Sequence, residues 1–106
     1  MTETRIYIGL NDSETLDQKF ETAKYVSVLK NVCRSYKVAF SFTVANGGYM
    51  HEDGRYTQET SLVLSLIDAD PAVVSEIAKD LCAFFNQESV LVTENEIKAY
   101  FVNESL

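Results

Sequence analysis

Two runs of alternating apolar residues, separated by an Asp-Gly step, constrain this chain more than any other feature in it. Val38-Ala39-Phe40-Ser41-Phe42-Thr43-Val44 places Phe40, Phe42 and Val44 on one face, and Ser61-Leu62-Val63-Leu64-Ser65-Leu66-Ile67 does the same with Leu62, Leu64 and Leu66. A period of two is the pattern of a strand with one buried face. Asp53-Gly54 lies between the runs and tolerates positive φ, so the spacing predicts an antiparallel hairpin. Gly47-Gly48, part-way along the ribbon, predicts a bulge or a close backbone approach.

The rest of the chain supplies elements around that hairpin. Arg5-Ile6-Tyr7-Ile8-Gly9-Leu10 alternates with Ile6, Ile8 and Leu10 inward, and Asn11-Asp12-Ser13-Glu14 is a turn cluster. Thr15 followed by Gln18 matches a capping box and predicts a helix from there to about Ser35. One stripe through it is Leu16, Phe20, Ala23, Ser27 and Lys30; Val26, Leu29, Val32, Cys33 and Tyr36 broaden it. Asp70-Pro71 opens a second helix, with Val73 or Val74, Ile77, Leu81 and Phe84 at helical spacing and an end near Asn86. Val90–Thr93 and Ile97–Val102 are apolar strand segments interrupted by Glu94-Asn95-Glu96. They read as one bulged strand or a short hairpin.

The order β-α-β-β-α-β defines the class: α+β, ferredoxin-like, an antiparallel sheet with two helices on one face. The opposite sheet face carries Arg5, Tyr7, Ala39, Ser41, Thr43, Ser61, Val63 and Ser65. Such small, mildly polar side chains suit self-association or a flat ligand.

The 106 residues are read as a single domain, 1–106, with enough chain for one core. No apolar run approaches the ~18 residues of a membrane span. The first residues have no basic stretch of the kind that begins a signal peptide. Cys33 and Cys82 fall in helical segments without metal or redox spacing, which fits reduced core cysteines in a cytoplasmic protein. Net charge is −7; residues 1–53 hold six basic and seven acidic side chains, and residues 54–106 hold three and nine. Without a basic stripe, direct nucleic-acid binding is not expected. The acidic half favours solubility, or docking on a basic partner.

The segments Tyr7-Ile8-Gly9-Leu10, Gly48-Tyr49, Asp53-Gly54-Arg55, Glu59-Thr60-Ser61 with Leu62 and Leu64, and Phe85-Asn86-Gln87-Glu88-Ser89-Val90-Leu91 resemble those of an uncharacterised family of small bacterial proteins, a domain of unknown function. The resemblance covers nearly the whole chain, and its most specific part is Phe85 to Leu91. It implies the same strand and helix order and no assigned activity. Relatives often carry an export signal and a Trp in the hairpin; this chain has Tyr49 in that place and is more similar to short, phage-associated or Gram-positive versions.

The hairpin concentrates the reactive side chains. His51, Glu52 and Asp53 are adjacent on an extended ribbon, where neighbours point to alternate faces, so no metal is expected. A nucleophile beside His51 is not expected either, because both cysteines lie on helices. Glu59 and Glu88 are read as pins for backbone amides or for Arg55, or as a carboxylate pair if they meet. Arg5, Lys37, Arg55, Tyr49 and Tyr56 form a candidate pocket between protomers, since Tyr stacks on bases and Arg forks onto phosphates. Gln87-Glu88-Ser89 closes the second helix beside Glu59. The expected site is therefore ligand-binding, formed by Arg5, Tyr7, Tyr49, His51, Arg55, Tyr56, Glu59 and Gln87, with no catalytic residue and no cofactor. The expected role is a non-enzymatic, self-associating protein holding a small anionic, nucleotide-like signal, as a phage anti-defence protein would. An acidic inhibitor of a host nuclease or similar enzyme, and a small enzyme using His51 and Glu59, are the alternatives.

Overall fold

The computed structural model describes residues 1–50 and 53–104, with Tyr49 described through its backbone only. The elements are β1 (Thr2–Gly9), α1 (Thr22–Ser35), β2 (Ser41–Met50), β3 (Tyr56–Ile67), α2 (Pro71–Phe84) and β4 (Leu91–Glu96). They form one antiparallel sheet in the order β2-β3-β1-β4. This is the ferredoxin-like α+β arrangement expected from the alternating runs.

Alternation sets the faces. Ile6, Ile8, Leu62, Leu64 and Leu66 are fully buried against Leu29, Val32 and Cys33 of α1 and Val74, Ile77 and Leu81 of α2. Arg5, Tyr7, Ser61, Val63 and Ser65 alternate with them on the uncovered face. Ala39 does not join that face, because it precedes β2, which begins at Ser41. Tyr36 of the α1 end donates its hydroxyl to Asp80 at 2.7 Å, which ties the helices together and raises the Tyr36 pKa, with desolvation adding to the effect. Cys33 and Cys82 are free thiols, and burial pushes Cys33 up to about 11.

The first helix begins seven residues later than the capping-box pattern predicts. Asp12 captures the N–H groups of Glu14 and Thr15 at 2.9 and 3.2 Å, and Leu16 takes φ +62°, which no α-helix accommodates. Gln18 donates to the Phe20 carbonyl and to Thr22 Oγ1 instead of closing a box. The stripe drawn through Leu16 and Phe20 is accordingly wrong: both are exposed, and Tyr25, Leu29, Val32 and Cys33 make the buried face. On α2, Asp70 caps through Ala72 N–H at 2.8 Å as the sequence predicts. Phe84 points out, 66% exposed, and Phe85 takes the core place, edge-on to Tyr25 at 5.0 Å.

Two further expectations change. Neither a hairpin nor a bulged strand fills residues 90–102: β4 stops at Glu96 and the chain continues without regular structure. Nor is there a bulge at Gly47-Gly48. Pairing runs unbroken through Gly47↔Glu59 and Gly48↔Gln58 to Met50↔Tyr56. Gly48 is instead a close approach, because an added Cβ would meet the Tyr56 ring at 2.6 Å.

The β2–β3 ribbon outruns its neighbour. The last pairing of β1 with β3 is Gly9↔Ser61, so Asn46–Met50 and Tyr56–Thr60 project beyond β1 as an arm about 17 Å long. Val44, expected inward, is 48% exposed although its register partner Leu62 is fully buried, because β2 is the edge strand and its outer flank has no neighbour among the described residues. The arm also explains the dimensions of 58 × 28 × 25 Å and a radius of gyration of 15.6 Å, against about 13 Å for a compact chain of this size.

Candidate functional site

At the root of the arm three distant segments meet on Asn11. Leu10 N–H bonds to the Thr60 carbonyl at 3.0 Å, carrying β1 one residue past its last strand pairing. Asn11 N–H then donates to Glu59 Oε2 at 3.0 Å, and Asn11 Nδ2 to the Gln58 carbonyl at 3.3 Å. From the other side, Gln87 Nε2 donates to the Asn11 carbonyl at 2.6 Å. The Glu59 carboxylate lies over Gly9, 2.6 Å from where a Cβ would stand. A glycine there leaves room for the acid to reach Asn11.

Two clefts share Asn11 and Glu59. The larger, about 440 Å³, runs under the arm past Gln18, Asn46, Gly48 and Tyr56. The smaller, about 280 Å³, opens toward Ser13, Leu16, Glu88 and Ser89. Glu59 and Glu88 both border the smaller cleft, and no Lys or Arg lines either cleft among the described residues. Both clefts are rich in hydrogen-bond acceptors, which favours cations and hydroxyl donors.

A buried carboxylate holds the floor. Asp12 accepts from Asn86 Nδ2 at 2.9 Å and pairs with Lys19 Nζ at 3.2 Å. Asn86 is the residue after the α2 C-cap and adopts φ +49°, a conformation Asn tolerates. The Asn86 amide, the Glu14 and Thr15 N–H groups and Lys19 together hold the Asp12 carboxyl well below the usual carboxylate range, against the opposing effect of desolvation. The folded protein therefore binds the Asp12 proton less readily than the unfolded chain. Its contribution to stability is complete above the ordinary value near 4 and is lost as pH falls below it. Thermal melts are expected to drop steeply in acid for the native chain and less steeply for Asp12→Asn; parallel slopes would contradict this role.

The expected site residues divide. Tyr56, Glu59 and Gln87 border the two clefts. Arg5 and Tyr7 are adjacent on the open sheet face, where Tyr7 first and Glu3 second raise the Arg5 guanidinium pKa; Arg5 lies 3.0 Å from Glu3. Arg55 sits at the turn and pairs with Asp53 at 2.7 Å, not with Glu59. Arg5 registers with Ser65, nine residues along β3 from Tyr56, or roughly 30 Å, so the Arg–Tyr cluster does not assemble within one chain. His51 lies outside the described residues, as does the Tyr49 side chain. Asn11 and Asp12 were read only as a turn; their polarity beside a strand end is the signal that marks them.

No family model matches the chain, and no curated protein matches it. Solved structures do. An apo phage SAM lyase is similar with a TM-score of 0.69 and 21% identity, over 99% of this chain and 90% of that one. A phage SAM lyase in complex with S-methyl-5′-thioadenosine gives 0.67 and 24%, over 90% and 80%. The B. subtilis GlnK–ATP complex gives 0.54 and 13%, over 90% and 84%. A DUF3240 family protein from Shewanella baltica matches as well, at 0.55 and 9%, over 97% of each chain. The expected kinship with small phage and bacterial domains thus holds at the level of fold. The expectation of a non-enzymatic protein does not: two of these similar structures are of a lyase, which is an enzyme.

Proposed function

We propose that this chain is a small-molecule enzyme of the SAM lyase type, binding S-adenosylmethionine around Glu59 and breaking a carbon–sulfur bond to release S-methyl-5′-thioadenosine. The observation that carries the reading is the Glu59 carboxylate. It is fixed by Asn11 N–H beside two clefts lined, among the described residues, by no Lys or Arg, in a fold shared with a phage SAM lyase. The nucleotide-like ligand expected from the sequence thereby becomes a cationic adenosine derivative rather than an anionic one.

The chemistry limits what Glu59 can do. Bond cleavage sends the electron pair to sulfur and erases the sulfonium charge, while the substrate's own carboxylate bonds the carbon that sulfur leaves, so the four-carbon fragment departs as a lactone that keeps its ammonium. A carboxylate pressed against sulfur would stabilise the substrate more than the transition state and slow the step. Glu59 is better used on a donor that persists through the reaction, the ammonium or a ribose hydroxyl, so that it orients the substrate. Gln87 positions the Asn11 backbone that holds Glu59. The acidic-inhibitor alternative gains nothing from these comparisons.

The direct test is incubation of the purified chain with S-adenosylmethionine, followed by mass spectrometry. S-methyl-5′-thioadenosine is expected to accumulate in proportion to protein. Intact substrate after prolonged incubation with folded protein would overturn the reading.

A further inference from the structure

Asp12 is shared between the smaller cleft and a third cavity, of about 270 Å³, set between the start of α1 and the end of α2. The chemistry of this cavity is the reverse of the clefts beside Glu59. Two lysines, Lys19 and Lys24, line it against one carboxylate, Asp12, among the described residues. Lys19 Nζ is held by Asp12 at 3.2 Å. Lys24 Nζ stands 3.7 Å from the centre of the Phe20 ring, a neutral partner that leaves the ammonium charge uncompensated. No acid lies in the first turn of α1, and Glu21, the residue before the helix, does not line the cavity.

The other walls are largely aromatic. Tyr25 meets Phe20 at 6.0 Å and Phe85 at 5.0 Å between ring centroids, so three rings run without a break from the core to the surface. Tyr25 and Phe85 are buried, whereas Phe20 and Phe84 are 49% and 66% exposed. Phe20 stands there because the turn held by Asp12 delays the helix to Thr22, which leaves Lys19 and Phe20 ahead of it. One exposed ring on a surface is ordinary. Two exposed rings on one cavity, beside an ammonium without a carboxylate partner, are the composition that recognises a flat anion.

We propose that this cavity binds a planar aromatic anion, one ring system bearing a phosphate or a carboxylate. The ring packs against Phe20 and Phe84, and the anion meets the Lys24 ammonium, with Lys19 as the second cation within the cavity. Small-molecule pockets start at about 300 Å³, so the space suits a mononucleotide or a fused-ring acid. Neither Lys24 nor Phe84 borders the clefts beside Glu59 or takes part in the proposed lyase reaction, and the readout is binding alone.

The test is calorimetric titration of the full chain at low salt with four probes: AMP, indole-3-acetate, adenosine and inorganic phosphate. At least one of the two aromatic anions is expected to bind, at least about tenfold tighter than adenosine, which lacks the charge, and than phosphate, which lacks the ring. AMP alone would identify a phosphate-bearing ligand, indole-3-acetate alone a carboxylate, and both the shared chemistry. Lys24→Gln and Phe84→Ala are each expected to weaken that binding about tenfold with wild-type circular dichroism, since both residues are exposed. No heat from either aromatic anion, equal affinity for adenosine or for phosphate, or unchanged affinity in the two variants would each overturn the proposal.

Discussion

Glu59→Gln is expected to lower kcat/KM for S-adenosylmethionine by roughly 10- to 150-fold while leaving the melting temperature close to wild type. The magnitude follows from replacing a charge-assisted hydrogen bond, about 1.5–3 kcal/mol, at about 1.4 kcal/mol per decade. The retained fold follows from the amide oxygen, which still accepts from Asn11 N–H in place of the carboxylate oxygen now 3.0 Å away. Steady-state kinetics and a thermal melt on the same sample check both halves. Wild-type kcat/KM in the variant would remove Glu59 from the substrate site. A collapse in stability with lost turnover would make it a structural pin, the role first read for it from the sequence.

The largest effect on stability is expected at Leu64. It lies on β3, one of the two inner strands of the sheet; its side chain is fully buried, and its register partners are Ile6 and Phe42. Leu64→Ala removes transfer energy and leaves a cavity, at a cost of about 2–5 kcal/mol. Against a typical total of about 5–15 kcal/mol that leaves a marginal protein. Urea unfolding should show a large fall in the midpoint with an unchanged slope. Phe84→Ala, whose ring is 66% exposed, should move the midpoint far less. Equal losses at the two positions would mean that the assignment of the α2 face, which turns on Phe84 and Phe85, is wrong.

That pair shows where local pattern stops being informative. Val74, Ile77 and Leu81 recur at helical spacing and are buried as the spacing predicts. At the end of the helix, spacing favours Phe84. The position of Tyr25 on the other helix selects Phe85, because its ring meets Phe85 edge-on. The start of α1 failed for a related reason. Thr15 and Gln18 satisfy a capping pattern, yet Asp12, held by Asn86 and Lys19, takes the Thr15 N–H that the Gln18 side chain would need. A partner 74 residues away cannot be read from a window of four.

The site divides along the same line. Glu59, Gln87 and Tyr56 stood out in the sequence as polar or aromatic residues beside turns and strand ends. Arg5 and Arg55 did so equally, and register alone separates them from the cleft.

What the amino-acid order determined by itself is the order of the elements, the buried faces of β1 and β3 and the hairpin between β2 and β3, because a period of two and a turn dipeptide act over a few residues. What only the tertiary structure decided is that Glu59 and Gln87, 48 and 76 residues from Asn11, bracket it from opposite sides, and that the β2–β3 ribbon projects past β1 as an arm. Those outcomes rest on where strands end relative to one another, a property of sheet register and packing that periodicity along one segment does not encode.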